Sequence, residues 1–154
     1  MDLRVVPLVD CKNILPVIAG WYLSAFCKEG TTLESCKEKL LKRLNTEVLD
    51  ICYVAFEGNE PIGTVSLTQN DIPTASNLTP CIANLFVIPK HRHKNIGRKL
   101  IEHAKLKLKA MNFHKAYLYT TNPTIYQWYQ KLGWEIINEG KIYNFDIKIM
   151  ECEL

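Results

Sequence analysis

The sequence has no hydrophobic run long enough to cross a bilayer as a helix. Its longest uncharged apolar stretch, residues 14–27, is shorter than a membrane span and is interrupted by Pro16 and Gly20. The first residues lack the charged segment, the apolar segment and the cleavage site of a secretory signal peptide. We therefore expect a cytoplasmic protein that has no membrane partner.

The cysteines include no Cys-x-x-Cys pair. They are scattered along the chain at Cys11, Cys27, Cys36, Cys52, Cys81 and Cys152. In a chain of 154 residues this scatter is not typical of a disulfide framework or of a zinc site. We expect reduced thiols that pack as small hydrophobic side chains, and no metal. Nothing in the sequence supports a catalytic cysteine.

Acidic residues are nearly absent between Lys90 and Lys115, where Glu102 is the only one. The same segment holds nine of the 19 lysines and arginines and all four histidines. A local positive field attracts polyanions, so a nucleic acid and a nucleotide cofactor are both candidate ligands. The expected sheet lacks the exposed aromatic pattern of single-strand binders, which argues against nucleic acid. The histidines have no metal-ligand spacing and are interpreted as loop and helix-surface residues.

The length of 154 residues and the apolar fraction of 47% predict one globular domain over residues 1–154. Hydrophobic periodicity predicts strands at 2–8, 51–56, 62–68, 82–88, 115–120, 134–138 and 143–150. Helices are predicted at 10–28, 31–45, 95–111 and 123–132, the second from a capping box formed by Thr31 and Glu34. A turn is expected at 138–141. This order indicates a mixed α/β fold that joins an antiparallel meander to a crossover helix.

The segment from Phe86 to Leu100 combines an apolar strand, a basic loop and an amphipathic helix. The strand stops at Pro89, and the loop leads directly into the helix. A helix N-terminus presents free N–H groups and the positive end of the helix dipole, which together bind anions such as phosphate. Successive N–H groups from Arg92 to Arg98 are able to form a nest around a pyrophosphate. We therefore predict a phosphate-bearing ligand at this place.

Two motifs resemble markers of the GNAT N-acetyltransferase superfamily. Residues 87–97 resemble the acetyl-CoA-binding signature V-x-P-x-x-R-x-x-G-x-G. Residues 122–134 resemble a second marker, an Asn that precedes a helix ending in F-Y-x-x-x-G-[FW]. The element order matches the family over essentially the whole chain. The resemblance implies the GNAT fold, an α/β (α+β) architecture with a central, mixed, mostly antiparallel sheet of about seven strands and about four helices, splayed at strands 4 and 5.

This chain departs from the first signature at two positions. Asn95 occupies the usual first glycine, and His93 occupies another position that is often glycine. Asn is the residue other than glycine that best tolerates the left-handed region, at a cost of about 1 kcal/mol. We expect the nest to persist, with the Asn95 side chain partly shielding it.

The resemblance implies direct transfer of an acetyl group from acetyl-CoA to a primary amine, without a covalent acyl-enzyme. Backbone N–H groups of Phe86 or Val87 would stabilise the thioester oxygen, and Tyr129 would protonate the departing CoA thiolate. The implied residues that bind acetyl-CoA are Phe86, Val87, Ile88, Arg92, His93, Lys94, Asn95, Ile96, Gly97, Arg98, Lys99 and Asn122. Packing of Tyr129 against Trp128 and Trp134 is an alternative role, whereas helix capping by Asn122 is compatible with binding.

The sequence does not identify a general base, because no acid lies between Cys81 and Ile88. Asn84 could hold a water molecule but cannot itself be the base. Asp71, Glu29 and Glu57 are candidates only as acids near the expected acceptor loops. A small-molecule amine and a peptide N-terminus both remain open as acceptors, as do a monomer and a homodimer. The missing acid favours one rival, a CoA-binding sensor or interaction module that has the fold without catalysis.

Overall fold

The computed structural model describes residues 2–154 of the chain. The elements are β1 (Leu3–Pro7), α1 (Leu15–Ala25), α2 (Leu33–Leu41), β2 (Ile51–Glu57), β3 (Glu60–Thr68), β4 (Cys81–Val87), α3 (Ile96–Ala110), β5 (Lys115–Thr120), α4 (Ile125–Lys131), β6 (Glu135–Ile142) and β7 (Phe145–Glu153). The strands form one sheet in the order β1-β2-β3-β4-β5-β7-β6. β4 pairs in parallel with β5 at Cys81 and Tyr117, whereas the pairs β1-β2, β2-β3, β5-β7 and β6-β7 are antiparallel. The predicted fold class is confirmed.

The chain divides into two compact units. The first contains the residues up to Leu67 together with Asn84–Ala104. It includes β1 to β3, the second half of β4 and the first half of α3. In its core, α1 and α2 turn their apolar side chains toward buried residues of β2. The largest fully buried side chains of this cluster are Leu8, Ile18 and Leu40.

The second unit contains Thr68–Ala83 and Lys105–Leu154. Its strands lie in the antiparallel order β5-β7-β6, in which Leu118 pairs with Met150 and Met150 with Ile136. A cluster of buried apolar side chains covers one part of these strands, and it contains Ile72, Cys81, Ile142, Ile147 and Ile149. Among residues 2–154, no helix is long and apolar enough to cross a membrane.

Two predictions about where helices start are wrong. The capping box of α2 is formed by Thr32 and Ser35, not by Thr31 and Glu34: Thr32 Oγ1 accepts from the Ser35 N–H at 3.0 Å, and Ser35 Oγ accepts from the Thr32 N–H at 2.9 Å. The first predicted helix is a 3-10 helix from Leu8 to Ile14 followed by α1. Pro16 lies in the first turn of α1, where its missing N–H costs nothing, and does not kink the helix.

The predicted turn at 138–141 is also wrong. These residues belong to β6, and the hairpin turns instead at Tyr143 and Asn144, since Ile142 pairs with Phe145. Both turn residues have positive φ, 50° and 68°, as a two-residue turn of type I′ requires. Glycine at position 140 misled the prediction because glycine is tolerated inside an edge strand as well as in a turn.

Candidate functional site

The loop before α3 has the left-handed backbone that the sequence predicted for Asn95. Asn95 has a φ of 64° and His93 a φ of 63°, so the two residues that replace the usual glycines adopt the conformation that favours glycine. Arg92 to Asn95 are all exposed, and the first buried side chain after them is that of Ile96. Gly97 already lies inside α3. The loop therefore presents its backbone to solvent at a helix N-terminus, as an anion-binding nest does.

Arg92 connects this loop to the end of β4. Its Nε donates a hydrogen bond of 2.8 Å to the Val87 carbonyl oxygen. Its guanidinium carbon lies 5.5 Å from the centroid of the Phe86 ring, within the range of a cation–π interaction. The Phe86 ring also contacts the ring of Trp21 from α1, at a centroid distance of 5.4 Å. The loop, β4 and α1 are thus held together by one side chain and one aromatic pair.

The basic side chains around the loop differ in their partners. Lys90 Nζ lies 2.9 Å from a Glu60 carboxylate oxygen, and Arg98 Nε donates to Glu102 at 3.0 Å. For Lys94 and Lys99, no acidic partner occurs within the described part of the chain. Like Arg92, whose partner is the Val87 carbonyl oxygen, these two lysines would meet a phosphate without first leaving an ion pair.

His91 is not the surface residue that the sequence predicted. It is buried, and its Nδ1 lies 3.1 Å from a carboxylate oxygen of Glu57, with Nε2 3.9 Å from Glu60. Both His91 Nδ1 and the Glu57 oxygen that it contacts are buried, and neither makes a hydrogen bond. His91 anchors the start of the loop to the β2–β3 hairpin.

Gly63 of β3 is a site residue that sequence reasoning missed. A Cβ added there would lie 3.1 Å from the Phe86 carbonyl oxygen and 3.1 Å from a methyl group of Leu100. The backbone of β4 and the Leu100 side chain of α3 thus approach β3 so closely that a Cβ at position 63 would require its neighbours to shift by a few tenths of an ångström. Nothing in the sequence distinguishes this glycine from a hairpin glycine.

A buried polar network reaches Asn84 of β4. Arg43, which is 5% exposed, donates from Nη1 to the Asn84 Oδ1 at 2.9 Å and to the Tyr22 hydroxyl at 3.0 Å. The Tyr22 hydroxyl also shares a 2.8 Å hydrogen bond with Ser66. Asn84 itself has a φ of 53°, a strained value inside a strand. Sequence reasoning noted Asn84 but missed Arg43, since a lone buried arginine is rare.

Arg43 carries the positive charge of this network without a carboxylate. Within residues 2–154 no ion pair between Arg43 and an acid is recorded, and its Nε is buried without a hydrogen bond. Burial raises the pKa of the Tyr22 hydroxyl and of the Cys52 thiol, so both stay neutral near pH 7. The network therefore keeps a net positive charge.

Asn122 holds the turn that leads into the short helix α4, whose N-cap residue is Thr124. The Asn122 Oδ1 accepts from the Thr124 N–H at 2.9 Å, from the Thr124 hydroxyl at 2.8 Å and from the Ile125 N–H at 3.2 Å. The expected cap is therefore displaced: Asn122 binds the N–H groups at the helix start from two positions before the N-cap residue, which leaves a binding role open. Asn122 also lines an open cleft of about 680 Å³ in the second unit, together with Tyr126.

Tyr129 of α4 packs between two tryptophans. Its ring lies 4.9 Å from that of Trp128 and 6.1 Å from that of Trp134, both nearly edge to face. Tyr129 therefore does pack against both tryptophans. This packing does not exclude proton donation by its hydroxyl. Burial raises the pKa of Tyr129 above its ordinary value, which keeps the hydroxyl protonated.

The acids considered as general bases occupy different surroundings. Glu57 is engaged with His91. Glu29 is exposed in the loop after α1. Asp71 is close enough to Tyr119 to contribute to that residue's raised pKa, about 12, although burial is the larger cause. Within residues 2–154, no group of three His, Cys, Asp or Glu is arranged to hold a metal ion, and the cysteines described are free thiols.

Comparison with known proteins gives one family and many similar structures. Residues 49–136 match the family model described as the acetyltransferase (GNAT) domain. No curated protein sequence matches the chain significantly. Among solved structures, a chimera of the Vibrio cholerae spermidine N-acetyltransferase SpeG with hSSAT is 19% identical, with a TM-score of 0.75 over 99% of this chain and 96% of that one.

Two further structures contain the coenzyme. An aminoglycoside 6′-N-acetyltransferase complexed with coenzyme A is 16% identical, with a TM-score of 0.76 over 97% of this chain and 96% of that one. The putative acetyltransferase yncA from Salmonella typhimurium, solved with acetyl-CoA, is 15% identical, with a TM-score of 0.77 over 99% of this chain and 94% of that one. At these identities the similarity concerns the fold.

Proposed function

The chain belongs to the GNAT acetyltransferase family, and we propose that it transfers an acetyl group from acetyl-CoA to a primary amine. The single observation that carries the proposal is the loop before α3. There, His93 and Asn95 have left-handed backbones in an exposed loop that leads directly into a helix N-terminus, where backbone N–H groups are able to bind an anion. This is the arrangement that a pyrophosphate requires.

The residues of the first unit suit acetyl-CoA as co-substrate. Arg92, His93, Lys94, Asn95, Ile96, Gly97, Arg98 and Lys99 would hold the pyrophosphate and the 3′-phosphate. Lys94 and Lys99 supply charge for this, because no carboxylate pairs with them among the described residues. Phe86, Val87 and Ile88 would bind the pantetheine arm through their backbone, and Asn122 would contact the same arm.

The transfer itself needs a neutral amine and a polarised thioester. The amine nitrogen attacks the thioester carbon, the C–S bond breaks, and CoA leaves as a thiolate that takes up a proton. Backbone N–H groups of Phe86 or Val87 would stabilise the negative charge that develops on the carbonyl oxygen. Tyr129 would donate the proton to the thiolate, and its buried hydroxyl is held in the protonated form that this role requires.

The similar structures support a small-molecule amine as acceptor in general terms, and a peptide N-terminus is the other acceptor that stays open. One of them is named for spermidine and another for aminoglycosides, both of which are amines. Because the identities are 19% and 16%, neither substrate is transferred to this chain.

Isothermal titration with acetyl-CoA tests the proposal first. We expect 1:1 binding that weakens as ionic strength rises, because the phosphates meet exposed cations. A thiol-release assay with a panel of amines then tests transfer. Absence of acetyl-CoA binding at millimolar ligand would contradict the proposal.

A second candidate function is a CoA-binding module without catalysis. The observation that favours it is the absence of an acid in β4, together with the uncompensated charge of Arg43 beside that strand. Such a module would bind acetyl-CoA as tightly as an enzyme would. Thioester cleavage that depends on added amine separates the two, since the module would show none.

A further inference from the structure

A buried cation, Arg43, lies beside Asn84 of β4, and the strand itself offers no catalytic base. The residues of β4 are Cys-Ile-Ala-Asn-Leu-Phe-Val, and none of them is acidic. Instead, Asn84 Oδ1 accepts a hydrogen bond from the buried guanidinium of Arg43. The other groups that face Arg43 are the neutral Tyr22 from α1 and, through the same network, Cys52 from β2 and Ser66 from β3. Arg43 is the only charged member of this set.

The charge lies close to the place where the thioester would react. Under the proposed function, the carbonyl of acetyl-CoA is held at the backbone of Phe86 or Val87. Asn84 precedes Phe86 by two positions on the same strand, which corresponds to about 7 Å. Arg43 Nη1 is a further 2.9 Å from the Asn84 side chain. An amine that approaches the thioester past Asn84 therefore meets a fixed positive charge.

A positive charge favours the neutral form of a nearby amine over its ammonium form. It lowers the amine pKa, but it also repels any amine that remains protonated. An alkylamine with a pKa of about 10.4 is almost fully protonated at pH 7, whereas the α-amine of a peptide, with a pKa of about 7.7–8.0, is partly neutral. A site with a cation and without a base on this strand therefore selects weakly basic amines.

We propose that the acceptor is an α-amino group next to an amide carbonyl, as at a peptide N-terminus, and that Arg43 is the positioning residue that sets this preference. The inference rests on the proposed function. The neutral α-amine forms the C–N bond, the C–S bond breaks, one proton leaves the nitrogen, and one proton is taken up by the CoA sulfur.

The orientation of Asn84 agrees with such an acceptor. Because its Oδ1 faces Arg43, its amide nitrogen is turned away from the guanidinium. No hydrogen bond of that nitrogen is recorded within residues 2–154, and Asn84 is only half-buried. It is therefore a donor for the carbonyl oxygen that follows a peptide α-amine, a group that a simple alkylamine lacks.

The first test compares matched acceptors with the unaltered protein. One peptide has a free N-terminus and no lysine, and the second has the same length, a blocked N-terminus and one lysine. An amino-acid amide and spermidine complete the set. The amide shows whether the protein requires a peptide or only an α-amine next to an amide carbonyl. In a thiol-release assay at pH 7 we expect kcat/KM for the α-amines to exceed that for the lysine peptide on the order of 100-fold.

The second test changes the charge. Arg43→Gln keeps hydrogen-bond donors and removes the charge, and Arg43→Lys keeps the charge as the matched control. With the peptide α-amine, we expect the acidic limb of the kcat profile to move upward by about 0.5–1 pH unit for Arg43→Gln and to stay in place for Arg43→Lys. Asn84→Asp would pair with Arg43, cancel its charge and reduce the preference for the α-amine.

The outcomes separate this inference from the proposed function. Equal or better transfer to spermidine or to the lysine peptide overturns the α-amine preference while acetyl transfer itself stands. Loss of acetyl-CoA binding, with no thiol release from any amine, overturns both. If Arg43→Gln fails to fold, as melting by circular dichroism would show, the acceptor comparison with the unaltered protein still decides.

Discussion

Arg92 Nε donates a 2.8 Å hydrogen bond to the carbonyl oxygen of Val87. The arginine of the expected pyrophosphate loop is thus turned back to the end of β4, and it also lies over the Phe86 ring. One side chain therefore links the segment expected to bind phosphate with the segment expected to bind the thioester arm. A change at Arg92 should disturb both.

Removal of this link should weaken the binding of acetyl-CoA. For Arg92→Gln we expect the Kd of acetyl-CoA to rise about tenfold, because a charge-assisted hydrogen bond and a cation–π contact are lost together. Lys109→Gln, an exposed change near the end of α3, removes the same charge and is the matched control. Titration calorimetry measures both. An equal loss in the two variants would mean that only net charge matters.

Asn95 should be replaceable by glycine but not by alanine. At a φ of 64°, alanine is strained by about 1–2 kcal/mol, whereas glycine adopts this conformation freely. We expect Asn95→Ala to lower the Tm and to weaken acetyl-CoA binding, and Asn95→Gly to preserve both. Thermal melting followed by calorimetry measures the two effects. If alanine proves as well tolerated as glycine, the left-handed backbone is not needed for the loop.

Elements with a strong hydrophobic periodicity could be predicted from the sequence. The predictions failed where the sequence allows two caps or two turns close together. β5 occupies the predicted residues 115–120, because its alternation is unambiguous. Near α2, two overlapping caps were available, and the structure uses Thr32 with Ser35 because their side chains bond reciprocally. At the last hairpin, Tyr143 takes a positive φ that few residues favour. No short-range sequence pattern predicts a turn with tyrosine at this position.

The candidate site could be predicted where its backbone conformation belongs to a known sequence motif. The loop with His93 and Asn95 is an example, since a motif position that is often glycine marks a positive φ. Arg43 was not predictable, because its burial depends on partners from α1 and β4 that are distant in sequence. Gly63 was missed for the same reason: only the tertiary structure shows what a Cβ would meet.

Gly63 should therefore be intolerant of a methyl group. For Gly63→Ala we expect a loss of about 1–3 kcal/mol in the free energy of unfolding, because the added Cβ would lie 3.1 Å from the Phe86 carbonyl oxygen and the backbone of β4 would have to shift to make room. Gly20→Ala is the matched control: a Cβ there meets nothing within 4 Å, and the residue is inside α1. It should stabilise the protein by about 0.5–1 kcal/mol. Denaturant unfolding measures both, and a stable Gly63→Ala protein would disprove the close approach.

Tyr129 should affect turnover rather than binding. If its hydroxyl protonates the CoA thiolate, Tyr129→Phe should lower kcat about 100-fold and leave the Kd of acetyl-CoA unchanged. Tyr143→Phe, at the exposed tip of the last hairpin, is the matched control and should leave kcat as it was. An unchanged kcat in Tyr129→Phe would assign the tyrosine to packing against Trp128 and Trp134 alone.

The pH dependence of kcat tests whether the Tyr129 hydroxyl stays protonated as its burial requires. Burial raises the folded-state pKa of this tyrosine above its ordinary value of about 10. The hydroxyl therefore stays protonated through pH 10, and the proton-donating form is lost only at higher pH. In the unaltered protein we expect no fall in kcat from this group below pH 10. A limb near pH 9 that disappeared in Tyr129→Phe would show instead that its hydroxyl ionises early and is more exposed to water than the structure indicates.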